Sequence, residues 1–331
     1  MEKLEEVFSD VNNVKIKYRS KINLPRNIKF GTEIEFENAN YHSVSLDLQK
    51  CKSLSKWTLK GDVSVTTYYN GSYGGELVSP ILHDSRFAWN ELKDACLLIR
   101  QDFGLSTGKS GAHIHIDSNI LNDKDEYILN FIKIWSLYEH VIYHFSYGTS
   151  NTPRKVLPLY ASPLASNICN FLCDYYSKKD WYNYILGNGD IKKSTNLYYL
   201  FSKLIYTKGI INYGFNFYHC QGTDDDELNT IEIRCPNGTL DNVIWQNNIN
   251  FFTKLLLYCA SDSFDKELID KKLCIFEPKE LTDYSDIYFE DAIELANLIF
   301  DDELDKMYFL KQYLKMDKYN FEIVKEKALK R

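Results

Sequence analysis

Short segments of this sequence alternate apolar and polar side chains with a period of two, and that repeat belongs to β-strands. In residues 108–117, His113 and His115 alternate with two isoleucines. Side chains two apart on a strand share a face, so both imidazoles lie on one face and both isoleucines on the other. Gly111, just before them, allows another backbone or a ligand to come close. The imidazole face suits a metal, a phosphate or a proton transfer, although a half-exposed strand with two polar residues would show the same pattern.

Carboxylates follow the same alternation in two further segments. In residues 28–38, Glu33 and Glu35 fall on one face of a predicted strand, where a bound divalent cation would offset their mutual repulsion. In residues 228–239, Glu232 and Arg234 share a face opposite two isoleucines. An exposed polar sheet face or a structural ion pair accounts for each pattern taken alone.

Other polar residues lie at turns, strand ends and loops. Asp62 follows Gly61 in the turn of a hairpin predicted over residues 57–67, and Glu76 begins a strand that ends before residue 80. A strand predicted over residues 211–220 carries Asn216.

The segment 147–166 contains three prolines and has no hydrophobic period. A structureless stretch of this length in a compact domain is often an active-site loop. We therefore predict such a loop here, with Arg154 and Lys155 as its cations. Loop cations of this kind are solvated by default.

Three amphipathic segments predict helices over residues 85–101, 122–145 and 242–260. Ser85 is the expected N-cap of the first, and Thr239 or Asp241 of the third. His140 and His144 share a face of the second helix. We interpret them as core or surface histidines with satisfied hydrogen bonds, because no glutamate lies between them in the metalloprotease arrangement.

The chain of 331 residues is long enough for one large domain, or one domain with a subdomain. We predict a leader of low order or a short surface strand over residues 1–27, one domain over residues 28–260, and a helical extension over residues 261–331. The net charge of −7 argues against a general nucleic-acid binder. The eight cysteines are irregularly spaced, and the chain has no apolar signal core or membrane-spanning run. We therefore expect reduced thiols in a cytoplasmic protein.

The order of the motifs resembles that of a known family. FGTEIEF is followed by a tryptophan with D-x-S, then by GGELVSP, GAHIHID, a proline-rich loop with an arginine, and EIRCPNGT before a helix. Over about residues 28–260 this order resembles the amidoligases of the glutamine synthetase-like carboxylate–amine ligase superfamily. The last motif is similar to the E-x-R-x-P-x-G segment of glutamine synthetases. The resemblance implies an α+β catalytic domain with a curved, mostly antiparallel sheet and helices packed on its outer face.

The resemblance also implies a reaction. An ATP-dependent ligase of this kind joins a carboxylate and an amine, from an amino acid, a peptide or a protein, through an acyl phosphate. Mg²⁺, or Mn²⁺ in its place, would bridge the phosphates. The resemblance is also compatible with a homo-oligomer, and it implies neither general nucleic-acid binding nor a membrane.

The roles that the resemblance carries over are these: Glu33, Glu35, Glu76, Glu232 and His113 for metal; His113, His115, Arg154 and Arg234 for ATP and phosphate; Asp62, Arg154 and Arg234 for catalysis; and Asn216 for substrate. Among them, Asp62 would orient the amine or take its proton.

Two alternatives stay open. HIHID also resembles the His-x-His of metal-dependent hydrolases with an amidohydrolase barrel, although in those enzymes the motif lies on the first strand and regular strand–helix alternation follows. A catalytically inactive binding protein on the ligase scaffold is the other alternative.

Overall fold

The computed structural model describes residues 2–65, 73–121, 124–165, 213–217, 229–273 and 275–330. These ranges contain one six-stranded sheet and ten α-helices, which is the α+β class predicted from the sequence. The strands are β1 (Phe30–Asn40), β2 (Thr58–Lys60), β3 (Tyr73–Val78), β4 (Ala112–Asp117), β5 (Phe215–Asn216) and β6 (Thr230–Ile233). The helices are α1 (Glu2–Asn13), α2 (Tyr41–Lys50), α3 (Arg86–Gln101), α4 (Asp125–Ser146), α5 (Leu157–Tyr160), α6 (Asn242–Cys259), α7 (Lys266–Leu273), α8 (Phe289–Ile299), α9 (Glu303–Leu314) and α10 (Phe321–Leu329).

The three predicted helices, and the predicted strands that carry Glu33, Glu76, His113 and Glu232, are found close to their expected bounds. The hairpin predicted over residues 57–67 is wrong in its second strand: residues 61–65 form a loop and a turn, and β2 pairs with β3 instead. Ser85 caps α3 by accepting a hydrogen bond from the backbone N–H of Ala88, and Asp241 caps α6 in the same way through Val243. Of the strand predicted over residues 211–220, the described part is the short β5 and its neighbours, and the rest lies outside the described residues. None of the described helices is both long enough and apolar enough to cross a membrane.

The strands pair antiparallel throughout, in the order β2-β3-β1-β4-β6-β5. One sheet face is apolar because apolar and polar side chains alternate along each strand. The register then places the apolar residues of neighbouring strands opposite one another. On that face Ile34 pairs with Leu77 on one side and Ala112 on the other, and Ile114 pairs with Ile233. All five of these residues are fully buried. Helices α3 and α6 pack against this face, so the polar face is the one left to form a site.

The N-terminal segment corrects the sequence prediction. Instead of a leader of low order or a strand, residues 2–13 form α1, whose Phe8 and Val11 are completely buried. Phe8 contacts Phe289 and Phe321, with ring centroids 5.2 Å apart in each case. The apolar residues of this helix recur at a helical spacing, but its many acidic residues made the segment look solvated. The N-terminal helix is therefore part of the core.

The C-terminal helices pack on the outer side of α4 and α6. The ring of Phe309 in α9 stacks on the rings of Phe145 and Phe251, with centroid distances of 4.8 and 4.9 Å. The two α4 histidines are buried core residues, and one nitrogen of each ring has a partner: His140 Nε2 lies 2.9 Å from an Asp291 oxygen, and His144 Nδ1 lies 2.8 Å from the carbonyl oxygen of Tyr284.

We expect Phe8→Ala to lower the free energy of unfolding by about 3–5 kcal/mol, because it removes a buried aromatic side chain and leaves a cavity. The matched control is Phe87→Ala, since Phe87 is 81% exposed at the start of α3. Urea unfolding followed by circular dichroism measures both. Equal effects of the two substitutions would show that α1 is not packed into the core.

The buried His144 predicts a loss of stability in acid. Burial first, and the charge of Lys315 second, lower its pKa to about 3, whereas the imidazole of an unfolded chain has a pKa of about 6.5. Between pH 6.5 and 3 the unfolded chain binds a proton at this imidazole and the folded chain does not. The free energy of unfolding is therefore highest above pH 6.5 and falls with the pH below it, by up to about 1.4 kcal/mol per pH unit. We expect His144→Asn to remove this part of the pH dependence in unfolding experiments between pH 6.5 and 5. His42→Asn, on the exposed surface of α2, should keep the wild-type slope, and an unchanged slope in His144→Asn would contradict the assignment.

Candidate active site

Cross-strand register decides which polar side chains become neighbours on the open face of the sheet. Glu35 of β1 pairs with Glu76 of β3, which in turn pairs with Lys60 of β2. Directly paired side chains lie about 4.5–5.5 Å apart at their Cβ atoms, so these two carboxylates are in contact range. Lys60 Nζ lies 3.8 Å from a Glu76 oxygen and balances part of the charge.

A second row of polar residues crosses the other half of the sheet. Glu33 of β1 pairs with His113 of β4, while His115 of β4 pairs with Glu232 of β6. Asn216 of β5 pairs with Glu232 from the other side and donates a hydrogen bond of 3.3 Å from Nδ2 to its carboxylate. The strand order thus gathers residues that lie up to 199 positions apart in the sequence, from 33 to 232.

His113 lies among three of the carboxylates. Its Nδ1 is 3.1 Å from Glu33 and 3.6 Å from Glu232, and its Nε2 is 3.3 Å from Glu35. His115 lies to one side, with Nε2 3.1 Å from Glu33 and Nδ1 3.2 Å from the hydroxyl of Thr230. The two imidazoles therefore separate acidic groups that would otherwise repel one another.

Two groups of three side chains have the spacing of metal ligands. Glu33, His115 and Glu232 form the first group, and their ligand atoms lie within 4.8 Å of one another. The second group has the same spacing and consists only of carboxylates: Glu35, Asp62 and Glu76. Carboxylate oxygens are the ligands of hard divalent cations, and one imidazole in the first group also suits Mn²⁺. The donor sets fit Mg²⁺ or Mn²⁺.

The carboxylates of this face titrate in opposite directions. Burial acts to raise the pKa of Glu33, but hydrogen bonds with His113 and His115, and the charges of both rings, hold it well below its usual range. Burial likewise acts against ionisation of Glu232, but the charge of Arg234 and then those of the imidazoles lower its pKa. For Glu76 burial is reinforced by the charge of Glu33, and its pKa rises to about 7. Of these three carboxylates, Glu76 is thus the one that holds a proton most readily.

Asp62 lies in the predicted turn after β2, and its carboxylate is fixed locally. The backbone N–H and the hydroxyl of Ser64 both donate to it, at 2.7 and 2.8 Å. Ser64 is the serine of the D-x-S motif, and its role as the residue that orients Asp62 did not follow from the sequence. The sequence signals for this role were the two-residue spacing between Asp62 and Ser64 and the turn-forming Gly61 before them.

The two predicted phosphate-binding arginines are held by other groups of the protein. Arg234 donates from Nη1 to Glu232 and from Nε to the carbonyl of Tyr160, at 3.0 Å in the latter case. The expectation that Arg154 is solvated is wrong: its exposed fraction is 3%. Its guanidinium donates to the carbonyl oxygens of Pro236 and Arg234, which fixes the chain just after β6.

Asn237 holds the predicted active-site loop in place, a role that the sequence did not reveal. Its Oδ1 accepts from the backbone N–H of Arg154 at 2.8 Å, and its Nδ2 donates to the carbonyl of Thr152 at 3.0 Å. Gly111 allows the close approach expected of it. A Cβ there would lie 2.9 Å from His113 Nε2 and 3.1 Å from Arg154 Cζ.

Two cavities meet at Glu33. The first has a volume of about 310 Å³ and is lined by Glu33, Glu35, Asp62, Glu76, Arg154 and Arg234, with Lys109 and Tyr160 at its edge. The second has a volume of about 270 Å³, and its walls combine Lys29, Lys60 and His115 with apolar side chains, among them Val78 and Ile81. The carboxylate face is therefore accessible from two sides. Lys60, Lys109, Tyr160 and Thr230 are site residues that the motifs did not mark.

The sequence motifs are matched by a family model described as "Putative amidoligase enzyme", which covers residues 26–151. The match includes Glu33, Glu35, Asp62, Glu76 and the His-x-His strand, whereas Arg154, Glu232 and Arg234 lie beyond it. No curated protein matches this sequence. For residues 26–151, the resemblance to the amidoligase family that the order of the motifs predicted is confirmed.

Proposed function

We propose that the protein is an ATP- and Mg²⁺-dependent carboxylate–amine ligase. The observation that carries this proposal is the pair of three-ligand groups, Glu33–His115–Glu232 and Glu35–Asp62–Glu76, side by side on one sheet face. The family description names an amidoligase enzyme, in agreement with this chemistry. Among the described residues, only two of the five carboxylates in these groups, Glu76 and Glu232, pair with a lysine or an arginine. Such a shortage of cationic partners is unfavourable without a bound cation and favourable with one.

Divalent ions bound there would neutralise phosphoryl oxygens and act as Lewis acids during phosphoryl transfer. The reaction we propose has two steps. A carboxylate oxygen of the acid attacks the γ-phosphorus of ATP, and the bond to ADP breaks. The amine nitrogen then attacks the acyl carbon, the bond to phosphate breaks, and the amine loses a proton.

The residues of this chain have separate tasks in that scheme. Arg234, beside Glu232, donates hydrogen bonds to the phosphoryl oxygens, and such charge-assisted bonds stabilise the charge of the transferring group. Arg154 holds the end of β6 in place and adds positive charge to the same cavity wall. Asp62 lies at the cavity edge with its carboxylate oriented by Ser64, where it can orient the amine, accept its proton, or complete the second ligand group.

The two cavities suit the two kinds of substrate. The smaller cavity combines an apolar wall with Lys29 and Lys60, which fits the base and the phosphates of a nucleotide. The larger cavity would hold the acid, and Arg234 in its wall would donate to the phosphoryl group as that group passes to the carboxylate. Glu33 lines both cavities, so the γ-phosphate and the reacting carboxylate would meet beside it. An amino acid, a peptide or a protein end would each satisfy this chemistry.

The two alternatives have less support. The described strands form an open antiparallel sheet, whereas the barrel hydrolases that carry a His-x-His strand are built on a closed parallel barrel. An inactive binding protein would have no use for a complete set of carboxylates, imidazoles and arginines.

Glu232→Gln should abolish ATP turnover, because it removes a metal-ligand oxygen and a charge next to Arg234. Calorimetric titration with a non-hydrolysable ATP analogue should show Mg²⁺-dependent binding to the wild type that is at least about tenfold weaker in the variant. Glu6→Gln, exposed on α1, is the matched control and should bind as the wild type does. The proposal fails if the wild type does not bind the analogue with Mg²⁺, or if Glu232→Gln binds it equally well.

The two ligand groups also predict two bound cations per chain. Electron paramagnetic resonance of a Mn²⁺ titration should report two ions in the wild type. Glu76→Gln should remove one ion and Glu232→Gln the other, because each substitution alters one group only. A single ion lost equally in both variants would contradict two separate sites.

A further inference from the structure

A third cavity lies outside the candidate active site and shares no lining residue with either cavity described there. Its volume is about 520 Å³, within the range of pockets for small molecules. The walls come from α4, α7, α8, the segment 275–279 and the 3₁₀ turn Leu281–Ser285. Eight of its eleven lining residues lie beyond residue 260, in the part of the chain to which neither the motifs nor the family match assigns a task.

Lys279 provides the basic group of this cavity. Its Nζ lies 4.7 Å from the centre of the Tyr288 ring and 5.7 Å from that of Phe276. Lys272, on the same wall, is bound to both oxygens of Glu294 at 2.7 Å. Within the described ranges, Lys279 has no hydrogen-bond or ion-pair partner, so its three N–H donors remain available to an acceptor in the cavity.

Carboxylates provide the acidic groups of the same cavity. Asp291, Asp283 and Glu277 all line it. One oxygen of Asp291 contacts His140 at 2.9 Å and the other lies 4.0 Å from Lys272. Burial acts to raise the pKa of Asp291, but the hydrogen bond with His140 and the charges of His140, Lys272 and Lys279 lower it, so it is ionised at neutral pH. A carboxylate accepts several hydrogen bonds, and Asp291 can therefore accept one more donor.

An apolar floor lies between the charged groups. It consists of Leu137 and Tyr138 of α4 together with Phe276. The helical conformation of α4 is interrupted at Tyr138 (φ −110°, ψ 18°), in the wall of the cavity. The Tyr138 hydroxyl donates to Glu294 at 2.6 Å, which fixes the ring over which Lys272 lies.

We infer that this cavity is a binding site for a zwitterionic α-amino acid with an apolar side chain. The carboxylate of the ligand would accept from Lys279, its ammonium group would donate to Asp291 and Asp283, and its side chain would cover Leu137, Tyr138 and Phe276. A simple anion would face three carboxylates, and a simple cation would face two lysines. Only a ligand with both charges and an apolar body matches all three parts of the wall.

L-Phenylalanine is the probe, titrated calorimetrically at low ionic strength into the full-length wild type. We expect Lys279→Met to weaken its binding by about tenfold, because the variant keeps the apolar stem and loses the charged donor. Lys271→Met, at an exposed position of α7, is the matched control and should bind as the wild type does. 3-Phenylpropionate lacks the ammonium group and phenethylamine lacks the carboxylate, so both should bind more weakly than L-phenylalanine.

The outcomes separate this site from the proposed ligase site. Absence of L-phenylalanine binding to the wild type overturns the inference, as does equal binding by wild type and Lys279→Met. Binding that is lost in Glu76→Gln but kept in Lys279→Met would place the amino acid in the active-site cavity and overturn it as well. None of these results bears on Mg²⁺-dependent nucleotide binding, which tests the ligase proposal separately.

Discussion

Electrostatic repulsion on one face of the sheet is the constraint on which the rest of the site depends. Antiparallel register sets Glu35 against Glu76 and brings Glu33 and Glu232 toward the same centre, so carboxylates whose side chains are mostly buried crowd one part of the sheet. Such crowding is costly unless each charge has a partner. The imidazole of His113, within 3.6 Å of three carboxylates, provides part of that compensation. Bound divalent cations would provide the rest, and for this reason the same residues are at once a structural liability and a candidate catalytic centre.

Helix α4 connects this face to the remainder of the chain. Trp135 packs edge-on against Phe215 of β5 at 4.8 Å, and one turn later Glu139 accepts hydrogen bonds from the backbone N–H groups of Leu164 and Ala165. Burial raises the pKa of Glu139 to about 7, although four donors, including the Tyr284 hydroxyl, favour its ionised form. The loop that carries Arg154 is therefore anchored at its far end by a buried carboxylate. The same helix packs against the C-terminal helices, so the loop with Arg154 and the C-terminal helices share one support.

How far the sequence predicted this arrangement depends on the range of the interactions involved. Strand faces follow from a local period of two, and so the alternation alone assigned Glu33, Glu35, His113, His115 and Glu232 to polar faces. Which of them become neighbours depends on strand order and register, which are long-range, and no local pattern predicts that His115 groups with Glu33 and Glu232 while His113 lies between carboxylates. The sequence predictions were wrong where a residue or segment that is usually exposed is buried in the folded protein. Arg154 is buried because backbone carbonyls of a distant segment accept its hydrogen bonds, and α1 is a core helix because its four apolar residues find a surface made by α9 and α10.

The pairing of Arg234 with Glu232 has a consequence for the proposed ligase. Besides the amide of Asn216, the carboxylate of Glu232 has two candidate partners, the guanidinium that it now contacts and a cation in its ligand group. A cation that takes the Glu232 oxygen would leave Arg234 with an uncompensated charge in a half-buried place, which is unfavourable until an anion arrives. A phosphoryl group that binds the same cation is such an anion, and it can accept two hydrogen bonds from the planar guanidinium. Cation binding and phosphate binding would then favour each other through Glu232, so that nucleotide alone would bind more weakly than nucleotide with its metal.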